Sequence, residues 1–278
     1  MNARLYSLWF LILVMMSILS KPILAQEDVH TVMYDNFRFS FPSTLATGIQ
    51  IETIEAYPIT QPEEQFLYAH YPEHMRFGFL NYLDGTEFRL PYLIEGPQIL
   101  VYSTDSMHEF GSDFADKLNA LELLLQERPD LSTYVGASVR LPELRLPFLP
   151  WVNSGQMLRS HPQYVEIAGV GTGIRYVTRH SQEADHITDQ QIFYTFQGII
   201  ADGAYYVSAI FPVKTGVLPE EVDTSNIDWD EFGANYSEHY LPETFAQIAS
   251  LSDEAFNPSL NTLDTLIQSI VFETEPIR

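Results

Sequence analysis

Hydrophobic and polar positions alternate with a period of two from early in the chain. In Asn36-Phe37-Arg38-Phe39-Ser40-Phe41, three phenylalanines fall on one face and polar residues on the other, and Pro42 ends the run. That pattern marks a half-buried strand. Ile49-Gln50-Ile51-Glu52 repeats it more briefly, Met75 to Leu80 sets Phe77 and Phe79 together, and Gln98 to Tyr102 reads as a further short strand. Near the middle, two β-rich aromatic runs, Gln191 to Ile200 and Ala204 to Val213, flank Asp202-Gly203. Asp-Gly suits a two-residue type I′ turn because glycine tolerates positive φ, so a hairpin is expected there. Tyr205, Val207, Ala209 and Phe211 then share a face. Ile174 to Arg179 is expected to precede the hairpin as a third strand, joined by the polar loop His180 to Asp189.

Helical spacing is rarer. Ser112 can cap a helix from Asp113 to about Glu127, with Phe114, Leu118, Leu121 and Leu125 as its apolar stripe and Pro129 beyond its end. Asn153 or Ser154 is expected to start a short helix through Arg159. Thr244 to Leu251 and Ser259 to Ser269 also read as helices. The last presents Leu260, Leu263, Leu266 and Ile267 inward and runs into a short strand, Ile270 to Glu273. Between these lies a proline-marked stretch, Leu141 to Trp151, too apolar for a free linker and unsuited to a central strand. It is expected to be an ordered connection. Together the patterns predict an α+β fold, an antiparallel sheet with helices packed on its faces, in a single domain spanning residues 26–278.

The first 25 residues stand apart. Arg4 precedes an apolar run from Leu8 to Leu19, interrupted by Ser17, and Ala25 is placed for cleavage before Gln26. This is the layout of a secretory signal peptide, and the run is short of the roughly 20 apolar residues a membrane-spanning helix needs. A secreted or extracytoplasmic location, in the cell envelope or periplasm, is therefore expected, with no stable membrane insertion after cleavage. Without Arg4 and Lys21, 12 basic residues face 37 acidic ones, a net charge of −25. Such a surface repels phosphate backbones and anionic lipid, so no nucleic-acid partner is expected. The chain has no cysteine, which excludes disulfides and thiolate metal sites.

Two segments carry a resemblance. The opening strand, Tyr34 to Pro42, and the closing helix-to-strand segment, Leu263-Asp264-Thr265-Leu266-Ile267-Gln268-Ser269-Ile270-Val271-Phe272, are similar to the two ends of PsbP-like proteins. The resemblance implies an antiparallel sheet with helices on its faces and a non-enzymatic accessory or binding role. It covers about 20 residues, by the count of those two segments, and leaves the centre of the chain unaddressed. The whole chain also resembles uncharacterised secreted bacterial proteins.

Candidate chemistry is sparse. Gly169-Val170-Gly171-Thr172-Gly173 lacks the spacing and following helix of a dinucleotide loop and reads as a bend between strands. His180, Asp185 and His186 are the residues a metal would use, since two imidazoles and a carboxylate can hold zinc with an open position. Arg175 and Arg179, four apart on a strand, share a face and in a cation-poor chain can hold a carboxylate or phosphate. Tyr176, Tyr194 and Gln197 are grouped with them as a ligand-binding face. Asp223, Asp228, Asp230 and Glu231 offer oxygens to calcium but lack EF-hand spacing. No G-x-S-x-G elbow is present. The expectation is an exported, non-enzymatic binding or accessory protein for an unknown protein or small molecule, with no cofactor. The alternative is a secreted hydrolase or metal-dependent enzyme using the His180–Asp189 loop.

Overall fold

The structure, a computed structural model, describes residues 28–58, 70–92, 94–138 and 145–273. The segment read as a signal peptide and residues 141–144 of the proline-marked stretch lie outside them. The fold is α+β. Eight antiparallel strands form the main sheet in the order β3 (Gly48–Ile54), β4 (His74–Leu80), β5 (Gln98–Ser103), β10 (Tyr205–Pro212), β9 (Phe193–Ile200), β8 (Gly171–Ser181), β7 (Gly155–Ile167) and β6 (Gly136–Ala137). A second sheet has β2 (Phe37–Pro42) between β1 (Val29–Tyr34) and β11 (Val271–Phe272). No described helix is long and apolar enough to cross a membrane.

Alternation assigns the faces. Phe37, Phe39 and Phe41 of β2 project onto Phe77 and Phe79 of β4, with ring centroids 5.1–6.0 Å apart. The small sheet thus covers one face of the large one, together with α4 (Leu241–Ala249) and α5 (Leu260–Gln268). The other face carries α1 (Thr104–Phe110) and α2 (Ser112–Glu127), whose Phe114, Leu118, Leu121 and Leu124 meet Leu100, Tyr102, Ile174, Tyr176 and Tyr206. The main sheet is buried on both sides at its centre, so β8 to β10 are nearly continuous runs of buried residues.

Burial on both sides explains one correction. Residues 153–159 do not form a helix: Gly155–Ile167 is a 13-residue strand paired with β8. Met157 and Leu158 are successive residues buried in the same cluster, under the small sheet, and the register shifts at Gln156/Leu158 and Ser160/Gln163 break the alternation that would have revealed the strand. A second correction concerns the hairpin. Tyr205 pairs with Ile200, leaving a four-residue loop, and the left-handed pair is Ala201 (φ 52°) and Asp202 (φ 53°). Gly203 N donates to Ile200 O at 3.2 Å, so the tight turn sits one residue earlier than the Asp-Gly dipeptide suggested. A third is the start of α2, where Gly111 and not Ser112 is the N-cap and no side chain caps the helix.

The glycine-rich segment is the expected bend between strands. Gly173 lies opposite Gly198, and the Phe196 ring covers both; a Cβ at Gly173 would meet that ring and Gln197 O at 2.5 Å. Glycine there makes room for an aromatic ring.

Candidate functional site

The five residues grouped as a ligand-binding face divide between the two sides of the sheet. Arg175 and Arg179 do share a face, that of the small sheet, and Tyr194 joins them because it lies opposite Val177. Tyr176 and Gln197 point the other way, toward α2.

Both arginines are already neutralised. Arg175, 2% exposed, pairs with Asp253 and lies 3.4 Å from Asp264, and it donates to His161 O and Gln163 Oε1. Tyr194 OH donates to Asp264 Oδ1 at 2.9 Å. Burial lifts the Asp264 carboxyl above its ordinary range, opposed by Arg175 and the tyrosine bond. Arg179 pairs with Asp185 and reaches Tyr236 OH at 3.4 Å. These are buried ionic ties between the sheet and the C-terminal helical segments.

His180, Asp185 and His186 do not converge. Asp185 turns back to Arg179 on one face, while His180 follows Arg179 in β8 and so lies on the other, its ring 4.5 Å from Phe148 and 6.0 Å from Phe193. His186 stacks on Phe232 at 4.3 Å, with Trp229 and Tyr240 around it. Among the described residues, no group of three or more His, Asp or Glu is arranged to hold a metal ion. In the acidic segment, Asp228 caps α3 (Trp229–Asn235) by accepting from Asp230 N and Glu231 N, and Asp223 accepts from Ser225 N.

A different site forms on the α2 face. The chain from Arg145 to Trp151 crosses the sheet as a strap, held by side chains that rise from the strands. Gln156 Oε1 accepts from Leu146 N at 3.0 Å, and Tyr176 OH donates to Pro147 O at 2.7 Å. Gln197 Oε1 accepts from Leu149 N at 3.0 Å, while Ser208 Oγ donates to Leu149 O. Tyr176 and Gln197 therefore anchor the strap.

Between strap and α2 lies a cavity of about 540 Å³. Others of about 490 and 840 Å³ flank it, and Trp151 and Ser154 line all three. The whole is a branched groove centred on Trp151, whose ring lies 5.3 Å from buried His70. Lys117 and Arg145 line the first cavity, and Arg159 bonds the backbone of two other lining residues, through Nε to Tyr134 O at 2.9 Å and through Nη1 to Gln156 O at 3.4 Å. Asp116 and Glu127 stand exposed on the rim. His180 lines two of the cavities, and among the described residues neither ring nitrogen makes a well-formed hydrogen bond, although the Ser154 backbone lies near. Ser154 Oγ is likewise buried and without a partner among the described residues.

Electrostatics sets this groove apart. Burial first, then Lys117, Arg145 and Arg179, push the His180 imidazole down to about 3, with the Ser154 backbone opposing. Burial likewise lowers Lys117, with Asp113 opposing and Arg145 adding to the fall, and it lowers Arg159, with Arg145 again adding to the fall. Sequence reasoning passed over Lys117, Arg145, Arg159 and Trp151, because the signal is a census of charge partners that requires the fold. Comparison of the chain with protein-family models and with curated proteins returned no match.

Proposed function

We propose that this protein is an exported, non-enzymatic binding module that takes a small ligand in the groove around Trp151. The observation that carries the reading is the meeting of three cavities at Trp151 and Ser154, over the buried, unsatisfied polar atoms of His180 and Ser154. A cleft of this volume with a few convergent polar groups is what small-molecule sites have in common. The strap that walls it is fixed by four sheet side chains, so the site is formed in advance. Export is supported by the apolar run from Leu8 to Leu19, with Arg4 before it and Ala25 placed for cleavage. The accessory role implied by the PsbP-like ends draws support from their pairing, with Phe37 opposite Phe272 and Ser269 Oγ bonded to both Ser40 N and Ser40 O. The dispersal of His180, Asp185 and His186 favours binding over the metal-dependent alternative.

A ligand-observed NMR screen of a general fragment set tests the reading. The control is Ala120→Trp, which plugs the first cavity from the exposed side of α2. Fragments that bind the native chain and are lost with the plug are the expected outcome. A screen without binders, or binders indifferent to the plug, removes the groove as the site.

A further inference from the structure

The distribution of positive charge narrows the ligand. The chain carries 37 acidic residues against 14 basic ones, so a described lysine or arginine has carboxylates in abundance to pair with. Seven do, each within 4.0 Å of an aspartate or glutamate. The three without such a partner among the described residues are Lys117 and Arg145, which line the first cavity, and Arg159, which bonds the backbone carbonyls of two residues that line it, Tyr134 and Gln156. Arg145 also weighs against the protonated form of both Lys117 and Arg159. Arg159, 2% exposed, is the costliest, because a buried guanidinium receives no compensation from water. Its two bonds go to backbone carbonyls, which orient it, and no carboxylate among the described residues pairs with it.

We infer that the counter-charge comes from the ligand: the groove takes an organic oxyanion, a carboxylate or phosphate monoester on a flat apolar body. This rests on the groove being the binding site. Lys117 and Arg145 line the cavity from α2 and from the strap, so an oxyanion between them meets two cations, with Arg159 one residue behind the lining Tyr134 and Gln156. Charge-assisted bonds of this kind are about twice as strong as neutral ones. The apolar part of the wall is supplied by Pro147, Phe148, Pro150 and Trp151 on the strap and Leu124 on α2. A planar hydrocarbon body fits against it. Exposed Asp116 and Glu127 on the rim disfavour a polyanion and leave room for one charged group.

Isothermal titration of the full chain with phenyl phosphate, inorganic phosphate and benzyl alcohol tests the inference. Phenyl phosphate is expected to bind one-to-one and at least tenfold more tightly than either other compound. Lys117→Met and Arg145→Met, at positions that are not fully buried, are each expected to weaken phenyl phosphate at least fivefold and leave benzyl alcohol unchanged; circular-dichroism melts confirm that both fold. Benzyl alcohol binding as tightly as phenyl phosphate overturns the anion assignment and leaves the groove standing. Inorganic phosphate binding equally well overturns the apolar body. Phenyl phosphate binding that ignores both substitutions places the anion elsewhere and overturns the inference. If neither ring compound binds, the inference falls, and the fragment screen decides separately whether the groove falls with it.

Discussion

Acid should destabilise this protein through one imidazole. His180 lies on the α2 face between Phe148 and Phe193, and burial together with Lys117, Arg145 and Arg179 holds its folded-state value near 3. In the unfolded chain it returns to an ordinary value of about 6.5. The unfolded state therefore binds more protons throughout the interval between these values. The stabilisation is complete above the unfolded value and is lost as the pH falls through the interval toward the folded one. Between pH 7.5 and 5.5 the loss is about 1.4 kcal/mol, since the titration covers roughly one unit below the unfolded value at about 1.36 kcal/mol per unit. His74 is also lowered by burial and adds a loss of the same sign. Many carboxylates change over a wider range, so the diagnostic quantity is a difference of differences. Urea unfolding at the two pH values, native against His180→Gln, isolates it. The native chain should lose about 1.4 kcal/mol more than the variant across that interval. Equal losses in the two proteins would refute the claim that His180 is held neutral. Phenyl phosphate at saturation should narrow the gap, because an anion offsets the cations that depress the ring.

Other outcomes follow from features already described. Gly173→Ala should cost about 1–3 kcal/mol in chemical denaturation, by driving a Cβ into the Phe196 ring and Gln197 O; an unchanged midpoint would mean that the ring is free to move aside. Arg175→Met should cost about 3–5 kcal/mol, because Asp264 is left buried without its cation. The same variant should bind phenyl phosphate as the native chain does, since Arg175 faces away from the groove, and a loss of binding in folded protein would contradict the division of faces. Edman sequencing of protein recovered outside the cytoplasm should begin at Gln26, and a chain that retains Met1 would contradict the signal-peptide reading.

Elements with an amphipathic stripe or a marked turn are legible in the sequence, and a doubly buried strand with neither is not. The β2 stripe of phenylalanines, the α5 stripe and the β8–β10 meander announce themselves because one side of each meets a single layer or because a turn marks their ends. The strand Gly155–Ile167 hid because it is covered on both sides and bulged twice, which erases the period-two signal. At the site, sequence singled out the right strand and the wrong side. Arg175 and Arg179 look free when read along β8, but Asp253, Asp264 and Asp185 reach them from elements 6 to 89 residues away. Arg145 and Arg159 show no distinction in sequence. That neither has a carboxylate partner among the described residues is a property of the packed arrangement, as is the approach of Arg145 on the strap to Lys117 on α2.

The pairing of β2 with β11 also sets an order of events. Phe37 waits for Phe272, more than two hundred residues later, and the Ser40–Ser269 bonds close the same loop. Whenever the chain emerges N-terminus first, β2 has one of its two neighbours at once and the other at the very end. The layer that covers Phe77 and Phe79 is then completed last, and contacts so distant in sequence slow folding. A chain with this clasp stays open until its final helix is delivered.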